Sequence, residues 1–497
     1  MTSNNEDGYK VKVSDEDLTT LLDYKLAQSS ASFLDTSELS DERQKSTYEY
    51  AMIPKGHLKP QGVSRIVSSD TVEAIEGYTA VLSELLFDNN KLAKFKAYDR
   101  TPLALHKATA ASELLNHCLF SKNRGWSVLN TWLKSALMWK LSAVTWTYAS
   151  EEKVSFEEYE VIDSTALDVL LSDPEITTTG DIYLDERSGN YLDVRLKRTK
   201  VTNKVVVSAV PPETLRVGRG ATGIHDASFV GFEEEMTRSE IRERWPEAAE
   251  GVDWSAVESG IHYATQLNTD SLARKQAIGT TLLLGSGDDN QLEATESAVV
   301  LRCWVYVDRD GDGIAELKYI VRVGDTILEE EDADHIQVAT FTPFEIPFEL
   351  EGLSMSDMVR PSTLASTAIL RGFVENTYLT NYAPKIADPN VVDFSALQNM
   401  KPKQIIASNG NPQGAVASLP PEQISTGTVP LLQFLQGHKE QATGLSKAAQ
   451  GLNDALYVSG NSEAKVSQVQ SAAQIRIQFI ARRFMETGGR ELLEGIY

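Results

Sequence analysis

Four carboxylates lie close together between residues 308 and 316, in an order that could bind a hard metal ion. They belong to Asp308, Asp310, Asp312 and Glu316. Alternate carboxylates on a tight turn converge on one point, and Gly313 allows the sharp bend that a calcium loop needs. Tyr319 stands at the twelfth position, where an EF-hand has its bidentate glutamate, so this is not an EF-hand. Calcium is a candidate ligand, and a solvent-exposed turn without metal is the alternative.

The segment GRGATG, at residues 218–223, has the glycine spacing of a dinucleotide-binding loop. That motif requires a helix directly behind it, whose N-terminus faces the pyrophosphate. The residues that follow, IHDASFVGF, favour a strand or a loop instead. The sequence therefore argues against nucleotide binding at this position.

No local motif indicates catalysis. The histidines are not paired at metal-ligand spacing, and the patterns GxSxG, HExxH and CxxC are absent from the sequence. A catalytic triad assembled from distant residues would leave no such pattern. Cys118 and Cys303 are too far apart to suggest a disulfide framework or a cysteine metal site, which favours a reducing compartment.

Acidic residues outnumber basic ones by 71 to 47, and the formal net charge is −24. Such a surface repels phosphate, so the composition disfavours tight static binding of nucleic acid or of an anionic membrane. The N-terminus lacks a signal-peptide pattern, and no run of about 18 apolar residues could span a bilayer. The acidic run from Glu329 to Asp334 is either a solvated loop or a docking face for a basic partner.

One long helix is predicted from Gly352 to Ala383, with Ser354 or Ser356 as its N-cap and Pro361 near its start. One face carries a polar stripe at three- and four-residue steps: Arg360, Thr363, Thr367, Arg371 and Glu375. The other face is small and apolar and could receive a neighbouring helix: Met358, Ala365, Ala368, Ile369, Gly372 and Phe373. An ordinary amphipathic helix on a single core is the simpler alternative.

The rest of the chain mixes helical and antiparallel strand patterns, which predicts an α+β fold. Helices are predicted near residues 18–26, 42–50, 69–86, 103–118, 126–148, 237–245, 431–449 and 463–494. Strands are predicted near residues 92–97, 177–182, 192–199, 205–210, 391 and 405. The strongest predicted hairpin joins AVVLRCWVYVD to GIAELKYIVRVGDTIL through the turn DRDGDG. Trp132, Trp139 and Trp146 recur every seven residues and predict a core stripe. A polar segment before residue 60 is expected to wrap around this core.

The order of these segments resembles the portal proteins of tailed bacteriophages, particularly the short-tailed type. The similarity is carried by ERQKSTYEYAMIPKG, GVSRIVSSDTVEAIEGYTAVLSELL, LHKATAASELLNHCLFSKNRGWSVLNTWLKSALMWKLSAVTWTY, VPPETLRVGRGATGIHDASFVGFEEEMTRSEIRERWPE, GLSMSDMVRPSTLASTAILRGFVENTYLTNYAPKI and PLLQFLQGHKEQATGLSKAAQGLN. It covers about residues 40–497, and it lies in the ordered series rather than in one diagnostic motif. The crown or barrel of the larger members is missing, which leaves a continuation beyond Tyr497 open.

The resemblance implies a portal-type fold with a helical wing, stem helices, a small β-rich clip and an antiparallel sheet in the wing. The implied segments are an N-terminal arm at 1–60, a wing at 61–236, a first stem helix at 237–255, a clip at 256–350, a second stem helix at 351–383, wing strands with a channel loop at 384–430, and a channel helix with C-terminal helices at 431–497.

The resemblance also implies a function. Copies of the chain, twelve in the family pattern, would form a ring at one capsid vertex of the virion after assembly in the host cytoplasm. Double-stranded DNA would pass through the ring, driven in by the large terminase subunit. Major capsid or scaffolding protein and tail adaptors would be further partners. No cofactor is required and no membrane is involved; a calcium-dependent enzyme acting on a polymer, or another phage connector, is the alternative.

Under this resemblance, candidate residues acquire roles. Channel or stem contacts are expected at Arg360, Thr367, Arg371 and Glu375. A channel loop is expected at Asn409, Gly410, Gln413 and Gly427. Partner docking at the clip is expected at Glu329, Glu330, Glu331 and Asp332, with calcium as the candidate ligand of Asp308, Asp310, Asp312 and Glu316.

Overall fold

The architecture is that of a computed structural model, which describes most but not all of the 497 residues. The described residues are 13–29, 35–87, 91–99, 101–179, 183–185, 190–254, 296–381, 385–387, 409, 416–418, 428–444 and 475–497, with isolated positions between 257 and 278. Within them the chain mixes helix and sheet, in agreement with the predicted α+β class.

The helices are α1 Asp15–Gln28, α2 Asp35–Tyr50, α3 Asp70–Phe87, α4 Pro102–Asn116, α5 Gly125–Trp139, α6 Ser164–Leu171, α7 Arg238–Arg244, α8 Pro246–Ala249, α9 Met355–Asn381 and α10 Thr428–Thr443. Two C-terminal helices follow, α11 at 475–484 and α12 at Arg490–Ile496. A non-helical Thr487 separates them.

The strands are β1 Ser142–Asp163, β2 Ile176–Thr178, β3 Tyr183–Asp185, β4 Asn190–Val210, β5 Leu215–Val217, β6 Phe229–Thr237, β7 Ser297–Val307, β8 Glu316–Val323, β9 Thr326–Asp332, β10 Val338–Phe341, β11 Lys385–Ala387 and β12 Val416–Ser418. The first sheet has the order β10-β1-β4-β2, with β3 also paired to β4. The second has the order β5-β6-β7-β8-β9 and is antiparallel throughout.

The largest core joins helices α3, α5 and α11 and the start of α9 to strands β1 and β10. Phe484 of α11 lies at its centre, with its ring centroid 4.8 Å from that of Trp132 and 5.0 Å from that of Phe341. The C-terminal helices are therefore part of the central core, since they bring together the main helical layer and the first sheet.

The first described helix packs on the body of the chain. Helix α1 lies on the second sheet, where Leu18 and Leu22 are buried against Phe229, Cys303 and other apolar side chains of strands β6 to β8. Arg322 of β8 forms an ion pair with Asp23 of α1. These contacts tie the first described helix to the middle of the chain.

The helix predicted to reach residue 148 ends at Trp139. Lys140 has φ of 73°, which breaks the helix, and β1 begins at Ser142. The β-branched residues around Trp146 pair with β4 and β10 on both sides, and this ladder overrides the seven-residue tryptophan spacing. Trp132 and Trp146 still meet in one core, although only Trp132 reaches it from a helix.

The strand predicted at 92–97 is wrong. The side chain of Asn116 accepts hydrogen bonds from the backbone N–H groups of Leu92 and Ala93, and Ser112 accepts one from that of Phe95. These bonds to α4 use the donors that a sheet would need. The strands predicted separately at 192–199 and 205–210 form one strand, because β4 runs unbroken beside β1.

The hairpin of β7 and β8 around residues 308–315 is confirmed, and β9 extends it. The short helix α7 is confirmed with its capping box of Thr237 and Glu240. The predicted first stem helix contains α7 and α8, of seven and four residues. The second sheet crosses from the predicted wing into the predicted clip, since β6 pairs with β7 along its whole length.

Candidate functional site

Helix α9 begins with a capping box. The Ser354 hydroxyl accepts a hydrogen bond from the Asp357 backbone N–H at 3.0 Å, and the Asp357 carboxylate accepts one from the Ser354 backbone N–H at 3.0 Å. Pro361 lies inside the helix, near its start. The predicted cap is thus Ser354, and α9 is one helix of 27 residues.

Arg360 is enclosed by carboxylates from two helices. Its Nε donates to Glu49 Oε1 at 2.8 Å, it also pairs with Glu42, and its own helix supplies Asp357 at 3.1 Å. Burial alone would lower the pKa of the guanidinium, but the charges of Glu49, Asp357 and Glu42 outweigh it and raise the pKa. Arg360 is therefore held as a cation that locks α2 onto α9.

Three more residues of the polar stripe contact the segment between α2 and α3. Thr367 accepts a hydrogen bond from the Ser68 backbone N–H at 3.0 Å. Arg371 donates to the carbonyls of Ile66, at 2.8 Å, and Leu58, at 2.7 Å. Glu375 accepts a bond from the Ser64 backbone N–H at 3.3 Å.

Arg360, Thr367, Arg371 and Glu375 are the predicted channel or stem residues. Each of the four side chains has a partner within its own chain. The stripe therefore attaches the N-terminal segment to α9, and its channel or stem role stays a prediction.

The buried face of α9 is rich in hydroxyl groups. The Oγ1 atoms of Thr363 and of Thr71 in α3 lie 2.9 Å apart, and Ser362 donates to the carbonyl of Leu435 in α10 at 3.4 Å. The other buried residues of this face include Met355, Val359 and Ser366. Thr363 and Ser362 find hydrogen-bond partners there, whereas the buried Ser356 hydroxyl has none among the described residues. Helices α3 and α10 cover this face.

The opposite face of α9 is apolar and exposed, which inverts the usual pattern of a soluble helix. Its exposed residues recur at three-, four- and seven-residue steps: Pro361, Leu364, Ala368, Gly372 and Leu379. We call these five residues the outer stripe. Leu364 is 38% exposed and Leu379 is 47% exposed. Among the described residues, a Cβ atom built on Gly372 would meet nothing within 4 Å, so this part of the chain gives no reason for a glycine there.

The predicted small face and the outer stripe overlap at Ala368 and Gly372, both exposed. Met358, Ala365 and Ile369 of the predicted face are partly exposed beside it. Phe373 is 45% exposed although it lies nearer the core side, so the helix projects beyond the core from about this point. The expectation that a neighbouring helix could approach this face is compatible with its exposure.

The predicted metal loop closes on its own backbone. One carboxylate oxygen of Asp308 accepts the Gly311 N–H at 2.7 Å, and the other accepts the Gly313 N–H at 2.7 Å. Desolvation opposes ionisation of Asp308, but these donors hold its pKa below the usual value. One oxygen each of Asp308, Asp310 and Asp312 lies within 4.8 Å of the others. Glu316 instead forms an ion pair with Lys318 at 3.4 Å.

Three residues of that loop, Asp308, Asp310 and Asp312, could therefore hold a cation. Among the described residues they are the one group of three or more potential ligands close enough for a single ion. Glu316 does not join them, which leaves the predicted four-carboxylate set incomplete.

The acidic run lies on strand β9, at the edge of the second sheet. Glu329 accepts a hydrogen bond from the Trp245 indole at 2.8 Å, Glu330 pairs with Arg309 at 3.2 Å, and Asp332 pairs with Lys318. Glu331 is exposed. Three of the four predicted docking carboxylates are therefore already engaged by neighbouring side chains of the same chain.

The other predicted sites give simpler results. GRGATG lies in the turn between β5 and β6 with no helix behind it, as the sequence indicated. Of the channel-loop candidates, Asn409 is described and exposed, whereas Gly410, Gln413 and Gly427 lie outside the described residues. The strands predicted near 391 and 405 lie outside them as well.

Sequence reasoning missed the partners of the polar stripe. Glu49 is fully buried and binds both Arg360 and, at 2.8 Å, His57. Nothing in the local pattern of α2 distinguishes Glu49 from the exposed acidic residues around it. Only the polar stripe of α9 itself pointed to a site that needed polar partners.

Comparison with known families connects these features to a class of protein. The chain matches the family model described as Phage SU10 portal protein over residues 18–497. A search of curated proteins finds no match. In the described part of the chain, no helix is long and apolar enough to cross a bilayer. The family match spans nearly the whole sequence and confirms the resemblance, so the chain belongs to the phage SU10 portal protein family.

Proposed function

We propose that copies of this chain assemble into a ring-shaped channel at one vertex of the capsid. Double-stranded DNA enters through the ring, driven by the large terminase subunit, and later leaves through it. Major capsid or scaffolding protein surrounds the ring, and tail adaptors attach to it. Assembly takes place in the host cytoplasm, and the ring then belongs to the virion.

The outer stripe of α9 carries this proposal. A monomer would expose Leu364 and Leu379 to water on a helix whose buried side is lined by hydroxyl groups. Covering this stripe with a second copy removes apolar surface from water at about 25 cal/mol per Å². In a closed head-to-tail ring, the stripe of each copy packs against a different surface of one neighbour. The stripe of the other neighbour packs against that same surface of the first copy.

The charge of the chain fits a channel through which DNA slides. A net charge of −24 on each copy disfavours tight binding of phosphate, so the bore does not hold the DNA in place. Arg360 and Arg371 of the polar stripe are engaged within the chain and are therefore not free to bind phosphate.

We also propose roles for two further segments, strand β9 and residues 409–427. The exposed part of β9, including Glu331, is a docking surface for a basic partner at the clip. The segment from Asn409 to Gly427 is proposed to project into the bore. Deleting 410–427 is expected to impair DNA packaging or retention in otherwise intact particles, and unchanged packaging and retention would contradict that role.

Electron microscopy of the purified chain tests the ring directly. Top views are expected to show a central hole and a rotational symmetry near twelvefold. Folded chains that stay monomeric or dimeric at every concentration, also in the presence of scaffolding protein, would contradict the proposal. No cofactor is required; calcium bound by Asp308, Asp310 and Asp312 is a separate proposal.

A further inference from the structure

Strands β1 and β4 form a hairpin far longer than the sheet that holds it. The two strands pair from Ala143 with Val210 to Asp163 with Asn190. At the base, β10 pairs with residues 142–145 of β1, and near the tip β2 and β3 pair with residues 190–198 of β4. The tip has its own apolar cluster around Leu167 and Leu196.

Between base and tip the hairpin has only two strands within the described part of the chain. We call residues 148–154 of β1 and 199–205 of β4 the neck. No further described strand pairs with either edge of the neck. An isolated two-stranded ribbon is marginally stable in water, and open strand edges pair readily with other chains.

One face of the neck exposes several apolar side chains. Tyr148 is 66% exposed, Val154 and Val201 lie on the same face, and Phe156, two residues farther along, is 63% exposed. Directly paired residues share a face, so the polar residues Ser150 and Asn203 lie among these four. Within the described residues the β1 edge of the neck is open, and the β4 edge is open between its two ends, where the Thr199 N–H donates to the Glu175 carbonyl at 2.8 Å and the Val205 carbonyl accepts a bond from Asn123 at 2.7 Å.

The two strands carry opposite charges. Residues 149–163 of β1 include the acidic residues Glu151, Glu152, Glu157, Glu158, Glu160 and Asp163 and one basic residue, Lys153. Residues 190–204 of β4 include the basic residues Arg195, Lys197, Arg198, Lys200 and Lys204 and one acidic residue, Asp193. Two cross-strand pairs, Glu158 with Arg195 at 2.8 Å and Glu157 with Arg198 at 3.2 Å, use part of this charge.

We propose that the neck is a subunit contact in which the β1 edge of one copy lies beside the β4 edge of the next. Opposite charges favour this head-to-tail arrangement and disfavour pairing of two like edges. The strand directions agree with it, because β1 and β4 are antiparallel and rotation about a ring axis places β4 of the next copy antiparallel to β1. The proposal rests on the ring of the proposed function and names one contact within it.

Rotation also fixes which residues meet. Ser150 and Asn203 are direct partners across one hairpin. For a ring axis that runs parallel or perpendicular to the strands, the two residues therefore lie at a similar height along the axis and at a similar distance from it. The next copy then brings its Asn203 to the Ser150 of the first. Both residues are exposed, and they lie on the same face as Tyr148 and Val154.

The experiment uses two variants, each with one added cysteine on a Cys118→Ser background. The added cysteine is Ser150→Cys in one variant and Asn203→Cys in the other. Cys303 is buried and stays in place. The two chains are co-expressed, rings are purified, and a short bismaleimide is added before denaturing electrophoresis. We expect cross-linked dimers in the co-expressed sample, at least tenfold above the level in rings of either single variant.

The other outcomes separate the neck contact from the ring. Intact rings without this cross-link, or with equal cross-linking in a single variant, would overturn the neck contact and leave the ring standing. If microscopy finds no rings in the unsubstituted protein, the proposed function and the neck contact both fail.

Discussion

Gly372 offers the sharpest test of the outer stripe. It lies inside α9, where glycine costs about 0.5–1 kcal/mol relative to alanine. The added Cβ of alanine meets no atom of the described residues within 4 Å. We therefore expect Gly372→Ala to stabilise the isolated chain by about 0.5–1 kcal/mol, measured by denaturant unfolding under conditions that keep the chain monomeric.

The same substitution has the opposite effect on a ring that uses the outer stripe. If a neighbouring copy packs closely over Gly372, the added methyl group overpacks the contact, which costs about 1–3 kcal/mol. Each 1.4 kcal/mol is about a tenfold change in association, so assembly shifts to higher concentration by one to two orders of magnitude. Gly372→Leu, with a larger side chain, is expected to abolish rings while the chain stays folded.

Mass photometry across a concentration series measures this difference, with circular dichroism as the test of folding. The matched control is Thr377→Leu, because Thr377 is exposed on the same helix, five residues farther along and on another face. If Gly372→Leu forms rings at the wild-type concentration, the outer stripe is not a subunit contact.

Three further predictions concern the chain itself. Arg360→Met leaves the fully buried Glu49 without its main partner and is expected to cost about 3–5 kcal/mol in denaturant unfolding. Arg371→Met removes only bonds to two carbonyls and should cost about 1–3 kcal/mol; equal costs would refute the Arg360 account. Burial raises the pKa of Tyr78 to about 12 from 10.0. The buried neutral phenol therefore stabilises the folded chain fully below pH 10, and this stabilisation is lost as pH rises towards 12. Tyr78→Phe should flatten the fall in unfolding midpoint over that range, and an unchanged fall would exclude Tyr78 as its cause. If Asp308, Asp310 and Asp312 bind calcium, EDTA should lower the thermal midpoint and added calcium should restore it; an unchanged midpoint would identify the loop as a metal-free turn closed by its own backbone donors.

Elements with a strong local signal could be predicted from the sequence. The helix predicted at 237–245 is α7, and the DRDGDG turn between two β-rich runs predicts the hairpin of β7 and β8. Helix α9 and its two distinct faces followed from three- and four-residue spacing. In each case the residues that determine the element lie within a few positions of one another.

Long-range partners could not be predicted in this way. The seven-residue spacing of tryptophans extended the predicted helix to residue 148, although pairing with β4 and β10 makes Trp146 part of a strand. The sequence predicts channel or stem contacts for the polar stripe of α9, but its partners within the chain, among them Glu49 and Ser68, lie about 300 residues away and leave no local pattern. Polarity alone cannot distinguish a side chain that meets water from one that meets a buried carboxylate.

A cryo-electron microscopy reconstruction of the assembled protein tests the central claim most directly, because it locates α9 relative to the neighbouring copies. We predict rings in which Leu364, Ala368 and Gly372 are buried against the next subunit while Arg360 stays bound to Glu49 of its own chain. A ring in which this stripe faces solvent, or in which Arg360 has left Glu49 to line the bore, would contradict the account.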